Sequence, residues 1–138
     1  MLERTIGDAA SLSAQKTILL VEDNISTRLA TAQDLMGAGF HVIQAASGVE
    51  AWRILQRYAQ IDLVLTDIHM PGGVDGIDLA RWLRALRPDL KVVFLSGDLK
   101  AARSAGIGHL LIEKPYQPSD LVKEISNLLD HVPDNDKP

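Results

Sequence analysis

Five short aliphatic runs, separated by segments of a different periodicity, constrain the fold of this chain more than any other feature. They are TILLV (17–21), HVIQA (41–45), DLVLT (62–66), KVVFL (91–95) and HLLI (109–112). Most are hydrophobic almost without interruption, which is the pattern of strands covered on both faces in a parallel sheet. The segments between them carry helical spacing. Residues 25–37 place Leu29, Ala32, Leu35 and Met36 on one side and run into Gly37 and Gly39, both plausible helix stops. A second helix opens at SGVE, where Ser47 and Glu50 have capping-box spacing, and continues through Trp52, Leu55 and Tyr58. A third begins near Asp75, carries Leu79, Leu83 and Leu86, and stops at Pro88. DLKAARSAG makes a short fourth helix. Leu121, Val122, Ile125, Leu128 and Leu129 mark a fifth over about three turns. Strands alternating with helices predict an α/β, doubly wound open sheet with right-handed crossovers and helices on both faces.

Length and composition limit what such a sheet can serve. With 138 residues the chain is one domain, read as residues 16–130 between flexible polar tails at 1–15 and 131–138. The absence of cysteine excludes disulfides, thiolate nucleophiles and sulfur-ligated metals. A formal charge of −4 gives no electrostatic reason for a nucleic-acid or anionic-membrane partner. No apolar stretch approaches the roughly 18 residues of a spanning helix, and the N-terminus lacks a signal-peptide layout, so the expected location is cytoplasmic.

In a doubly wound sheet, ligands bind beyond the carboxyl ends of the strands. The first run ends in Glu22-Asp23-Asn24, the third in Asp67, the fourth in Ser96-Gly97-Asp98 and the fifth in Glu113-Lys114-Pro115. Taken alone, Glu22 and Asp23 also suit the cap of the next helix. Clustered carboxylates, however, raise one another's pKa unless a cation sits among them. A hard divalent cation such as Mg2+ fits oxygen ligands of this kind. Lys114 adds a charge suited to an anionic group and Ser96 a hydroxyl that can donate to it. Asp67 then reads as a nucleophile able to form an acyl phosphate.

With those residues in place, the chain resembles a two-component response-regulator receiver domain from about Thr17 to Leu129. The matching motifs are ILLVEDN, LVLTDIHMPGGVDG, VVFLSG and IEKPY, in that order. The resemblance implies a CheY-like, flavodoxin-like five-stranded sheet of order 2-1-3-4-5. It implies that Asp67 is the phosphoacceptor and that Asp23 and Asp67 ligate Mg2+ with the backbone carbonyl of His69. Glu22 would support the metal through water, and Ser96 and Lys114 would contact the phosphoryl oxygens. It also implies a cis Lys114-Pro115 bond, against about 5% for X-Pro bonds in general. The implied function is that of a stand-alone, non-enzymatic signalling module. It takes phosphoryl from a sensor histidine kinase or a histidine phosphotransfer protein, then alters its binding to a downstream protein or relays the phosphate.

Three departures stand out. Gly72-Gly73 lengthens the turn after Asp67 by one residue, Leu111 replaces the usual aromatic, and the Ser96–Lys114 stretch is short. His69 reads as exposed; His41 and His109 read as structural, and His131 as tail. Arg81, Arg84 and Arg87, beside Trp82, read as a solubilising face or a docking face. Two other readings remain: a receiver-like interaction module indifferent to phosphorylation, and an enzyme on a similar sheet. Asp67-Ile68-His69 lacks the second aspartate of haloacid-dehalogenase-like phosphatases, and no Gly-rich loop follows the first strand.

Overall fold

A computed structural model of the protein describes residues 15–104 and 110–130. Residues 1–14 of the N-terminal tail, the C-terminal tail with His131, and His109 lie outside the described residues. Five parallel strands, β1 (Thr17–Val21), β2 (His41–Ala45), β3 (Leu63–Asp67), β4 (Lys91–Ser96) and β5 (Leu111–Glu113), form one sheet of order β2-β1-β3-β4-β5. Helices α1 (Ile25–Gly37), α2 (Gly48–Arg57), α3 (Gly76–Leu86), α4 (Leu99–Ser104) and α5 (Pro118–Leu129) make the connections and the C-terminal end.

Alternation along the buried strands divides the core in two, because successive side chains point to opposite faces. Ile18 and Leu20 of β1 join Leu63 and Leu65 of β3 under α1 and α5. Leu19, Val21 and Val64 face the other way, beneath Ala51 and Leu55 of α2 and Leu79 and Leu83 of α3. A third cluster of Ile68, Phe94 and Ala102, with Leu111 packed against it, lies toward β4 and β5.

The apolar stripes read from the helices are wider than the seams that are buried. Leu29 and Met36 of α1, Tyr58 at the end of α2 and Leu86 of α3 are exposed, whereas Leu35, Leu55, Leu79 and Leu83 are fully covered. Each helix lies on a sheet face, so only the line of contact is shielded. β3 also starts and ends one residue later than the run DLVLT suggests. The Asp62 carboxylate accepts from the Thr17 amide (2.7 Å) ahead of the strand, while Asp67 pairs in register with Leu95. The glycines of the lengthened turn have φ of 100° at Gly72 and 86° at Gly73, a region that favours glycine.

Candidate functional site at the carboxyl rim of the sheet

Strand register assembles the rim. Val21 lies beside Thr66, so Glu22 follows next to Asp67; Asp67 lies beside Leu95, so Ser96 follows; Ser96 lies beside Glu113, so Lys114 follows. Four residues distant in sequence thus meet on adjacent strand ends.

The ambiguity over caps is resolved by Asn24. Its side chain accepts from the Thr27 amide at 2.9 Å and caps α1, which leaves Glu22 and Asp23 free of that task. Glu22 is buried, with Oε2 accepting from the Asn24 amide at 3.1 Å and Oε1 3.5 Å from Lys114 Nζ. Asp67 is buried and ion-paired through Oδ1 with Lys114, and that oxygen has no other donor among the described residues. Asp23 is exposed, and one carboxylate oxygen from each of Glu22, Asp23 and Asp67 lies within 4.8 Å of the others.

Charge is unbalanced here: among the described residues, three carboxylates face one ammonium. Burial, and then the neighbouring Asp67, push the Glu22 carboxyl above its ordinary value. Burial alone would depress the Lys114 ammonium, yet the Asp67 and Glu22 carboxylates outweigh it and raise its pKa. An all-oxygen donor set with surplus negative charge, open to solvent at Asp23, suits a hard divalent cation.

The remaining sequence-derived residues fall around this cluster. Ser96 is buried, its hydroxyl accepting from the Asp98 amide (3.0 Å) and donating to the Asp98 carbonyl (3.1 Å). His69 is exposed just beyond β3, and His41 is exposed at the start of β2. The Lys114-Pro115 bond is cis. Of the three arginines on the third helix, Arg81 and Arg84 are exposed, but Arg87 donates to the carbonyls of Tyr58, Ala59 and Ile61 and ties α3 to the loop before β3.

Sequence reasoning missed three supports. Arg28 donates to the Glu22 carbonyl at 2.8 Å and to Gln44 at 3.3 Å, bracing the acidic turn from α1; nothing in the sequence pairs it with β2. Tyr116 and Thr31 share a hydrogen bond of 2.9 Å, which joins the segment after Lys114 to α1. Gly76 packs against the Asp67 backbone, and its amide donates to the Ile68 carbonyl at 2.8 Å. The adjoining Asp75 and Asp78, three apart, form a reciprocal capping box that the sequence does display.

Known proteins resemble this chain in sequence and fold. The model of the response regulator receiver domain family matches residues 18–126. The response regulator receiver protein CpdR of Brucella abortus is 38% identical over 122 residues, covering 83% of this chain and 97% of CpdR. The sensor kinase CckA of the same organism is 35% identical over 135 residues, covering 93% of this chain but only 14% of CckA. Among solved structures, a response regulator receiver protein from Sinorhizobium medicae superposes with a TM-score of 0.76 at 32% identity, covering 84% of this chain and 95% of that one. The sheet order, the acidic rim and these matches together place the chain in the response regulator receiver domain family, the phosphoryl-accepting modules of two-component signalling.

Proposed function

We propose that Asp67 is the phosphoacceptor and that its donor is the phosphohistidine of a sensor histidine kinase or a histidine phosphotransfer protein. The observation that carries this reading is the buried Asp67 carboxylate at a central strand end, facing Lys114 with one oxygen otherwise unpartnered. In the transfer, a carboxylate oxygen of Asp67 forms a bond to phosphorus as the donor's nitrogen–phosphorus bond breaks. The imidazole leaves and takes a proton from solvent.

Lys114, already held cationic by its carboxylate neighbours, turns from Asp67 toward the incoming phosphoryl oxygens, and Ser96 donates to another. Asp23, Asp67 and the backbone carbonyl of His69 would hold Mg2+, with Glu22 supporting it through water; three converging carboxylates support this assignment. Bound there, the cation neutralises charge on the carboxylates and the phosphoryl group. Arg28 keeps the Glu22–Asp23 turn in place from behind.

The phosphorylated chain then changes its binding to a downstream protein or passes the phosphate onward in the cytoplasm. Leu111 packs with Ile68, Phe94 and Ala102, so the response does not run through a swinging aromatic ring at that position. Ser96 supplies the alternative. To reach a phosphoryl oxygen its hydroxyl gives up its bonds to Asp98, immediately before α4, and that end of the sheet rearranges.

The test is incubation with Mg2+ and acetyl phosphate, followed by intact mass. The wild type gains one phosphoryl group and Asp67→Asn gains none. An unlabelled wild type would remove the proposal, and a labelled Asp67→Asn would move the acceptor elsewhere.

A further inference from the structure

A groove between α3 and the outer strands lies apart from the chemistry at the rim. Its volume is about 450 Å³. The floor is made by Ile77 and Ala80 of α3 with Val92 and Phe94 of β4, alternate strand residues that share one face of the sheet. α4 is six residues long, and its Ala102 packs with Phe94 toward the carboxyl end of that face. Toward the amino end Val92 and Leu110 stay half-buried, although parallel strands ordinarily bury both faces.

The guanidinium groups that line this same groove select what it receives. Arg81 and Arg84 stand on its α3 wall, three residues apart, which places their Cβ atoms about 5–6 Å from one another. Like charges at that spacing repel, and neither arginine meets a carboxylate among the described residues. Arg87 and Lys91 add two cations to the lining but already donate to backbone carbonyls. Against these four stands one lining carboxylate, Asp89, on a chain whose net charge is −4. Positive charge is therefore concentrated at the groove, and it opposes a symmetric contact between two copies through this face. The planar fork of arginine pairs with a carboxylate through two parallel hydrogen bonds, and arginine beside apolar surface is a frequent anchor of protein interfaces.

We propose that the α3–β4 groove docks an acidic segment of a partner protein, whose apolar side chains rest on Ile77, Val92 and Phe94 and whose carboxylates meet Arg81 and Arg84. Lining residues from Ile77 to Arg87 extend about 15 Å along α3 at about 1.5 Å per residue, a length that takes about four or five residues of extended chain. An elongated site of this kind suits a chain segment rather than a single small anion. Lys91 opens β4, and Asp67 pairs with Leu95 near the other end of that strand. A segment bound toward the amino end leaves the rim open to a phosphodonor.

The full chain is used to select from a displayed library of random peptides about 12 residues long, enough to overrun the groove. Selected peptides should combine Asp or Glu with Leu, Ile or Phe and bind less tightly as salt rises. Amide NMR shifts of the wild type on adding the strongest peptide should fall on residues 77–84 and 90–94. Arg81→Glu with Arg84→Glu should weaken binding ~10-fold or more while keeping the wild-type circular dichroism and unfolding midpoint. Trp82→Ala, whose side chain lines a different hollow, should leave binding unchanged. Lack of enrichment, winners without acidic residues, shifts centred elsewhere, or affinity unmoved by the arginine reversals would overturn the proposal. So would a self-associated form that buries Arg81, or duplex DNA or phosphatidylglycerol vesicles that shift the same amides more strongly than the peptide does.

Discussion

Gly76→Ala isolates the packing that places the acceptor. A Cβ added at Gly76 would sit 2.2 Å from the Asp67 carbonyl oxygen and 3.2 Å from both the Asp67 carbonyl carbon and the Ile68 Cα. Those neighbours are backbone, so relief requires the end of β3 or the start of α3 to move by roughly 1 Å to restore van der Waals contact. Alanine at the first position of a helix regains at most about 1 kcal/mol of propensity, whereas overpacking of this kind costs about 1–3 kcal/mol, so the net is destabilising. The larger effect falls on chemistry. A displacement near 1 Å in a reacting group reduces rates on the order of 100-fold, and the shifted atoms belong to Asp67 itself. Gly97→Ala is the control, since nothing lies within 4 Å of its Cβ position although it adjoins Ser96. Urea unfolding followed by tryptophan emission gives the stability, and a time course of acetyl phosphate labelling gives the rate. Wild-type stability and labelling in Gly76→Ala, or equal damage in Gly97→Ala, would show that the close approach at Gly76 does not position Asp67.

Several other outcomes follow from the rim. Lys114→Ala leaves Asp67 buried without its counter-charge and should cost about 1–3 kcal/mol by urea unfolding, the low side of a broken buried pair because Lys114 is partly solvated; adding Asp67→Asn should restore part of the loss. Mg2+ at ten times its dissociation constant should stabilise the wild type by about 1.4 kcal/mol in thermal melts, a gain absent in Asp23→Asn. Burial pushes the Tyr116 phenol above its ordinary 10.0, and the rim carboxylates outweigh burial to lift Lys114 above 10.5. In both cases the folded state holds more protons than the unfolded state, so their stabilising contribution is complete below those values and declines as pH rises through the folded ones. Tyr116→Phe should flatten that decline in urea titrations above about pH 10 and lose about 1 kcal/mol with the Thr31 bond.

Strand content was the most legible part of this sequence, because nearly continuous aliphatic runs have few alternatives in an α/β chain. The five runs became five strands, and the rim residues Glu22, Asp67, Ser96 and Lys114 were readable as the polar residues that end them. Helix surfaces were less legible. Leu29, Met36 and Leu86 keep helical spacing with buried residues yet remain exposed, since periodicity marks a side of a helix but not how far the sheet reaches across it. Residues that act through distant backbone were not legible at all. Arg28 at the Glu22 carbonyl and Arg87 at three loop carbonyls bond to atoms that every residue carries, so their partners leave no mark in the sequence.

An acyl phosphate on aspartate has a chemical signature that no serine, threonine or histidine adduct shares, because borohydride reduces it to homoserine. Treating the Mg2+ and acetyl phosphate-loaded protein with borohydride and mapping peptides by tandem mass spectrometry therefore reads the acceptor at residue resolution. Homoserine is expected at position 67, dependent on phosphodonor and lost in Lys114→Ala. Homoserine at Asp23 or the longer hydroxynorvaline at Glu22 in place of homoserine at 67, or a phosphorylated chain with no reducible carboxylate, would overturn the assignment of Asp67.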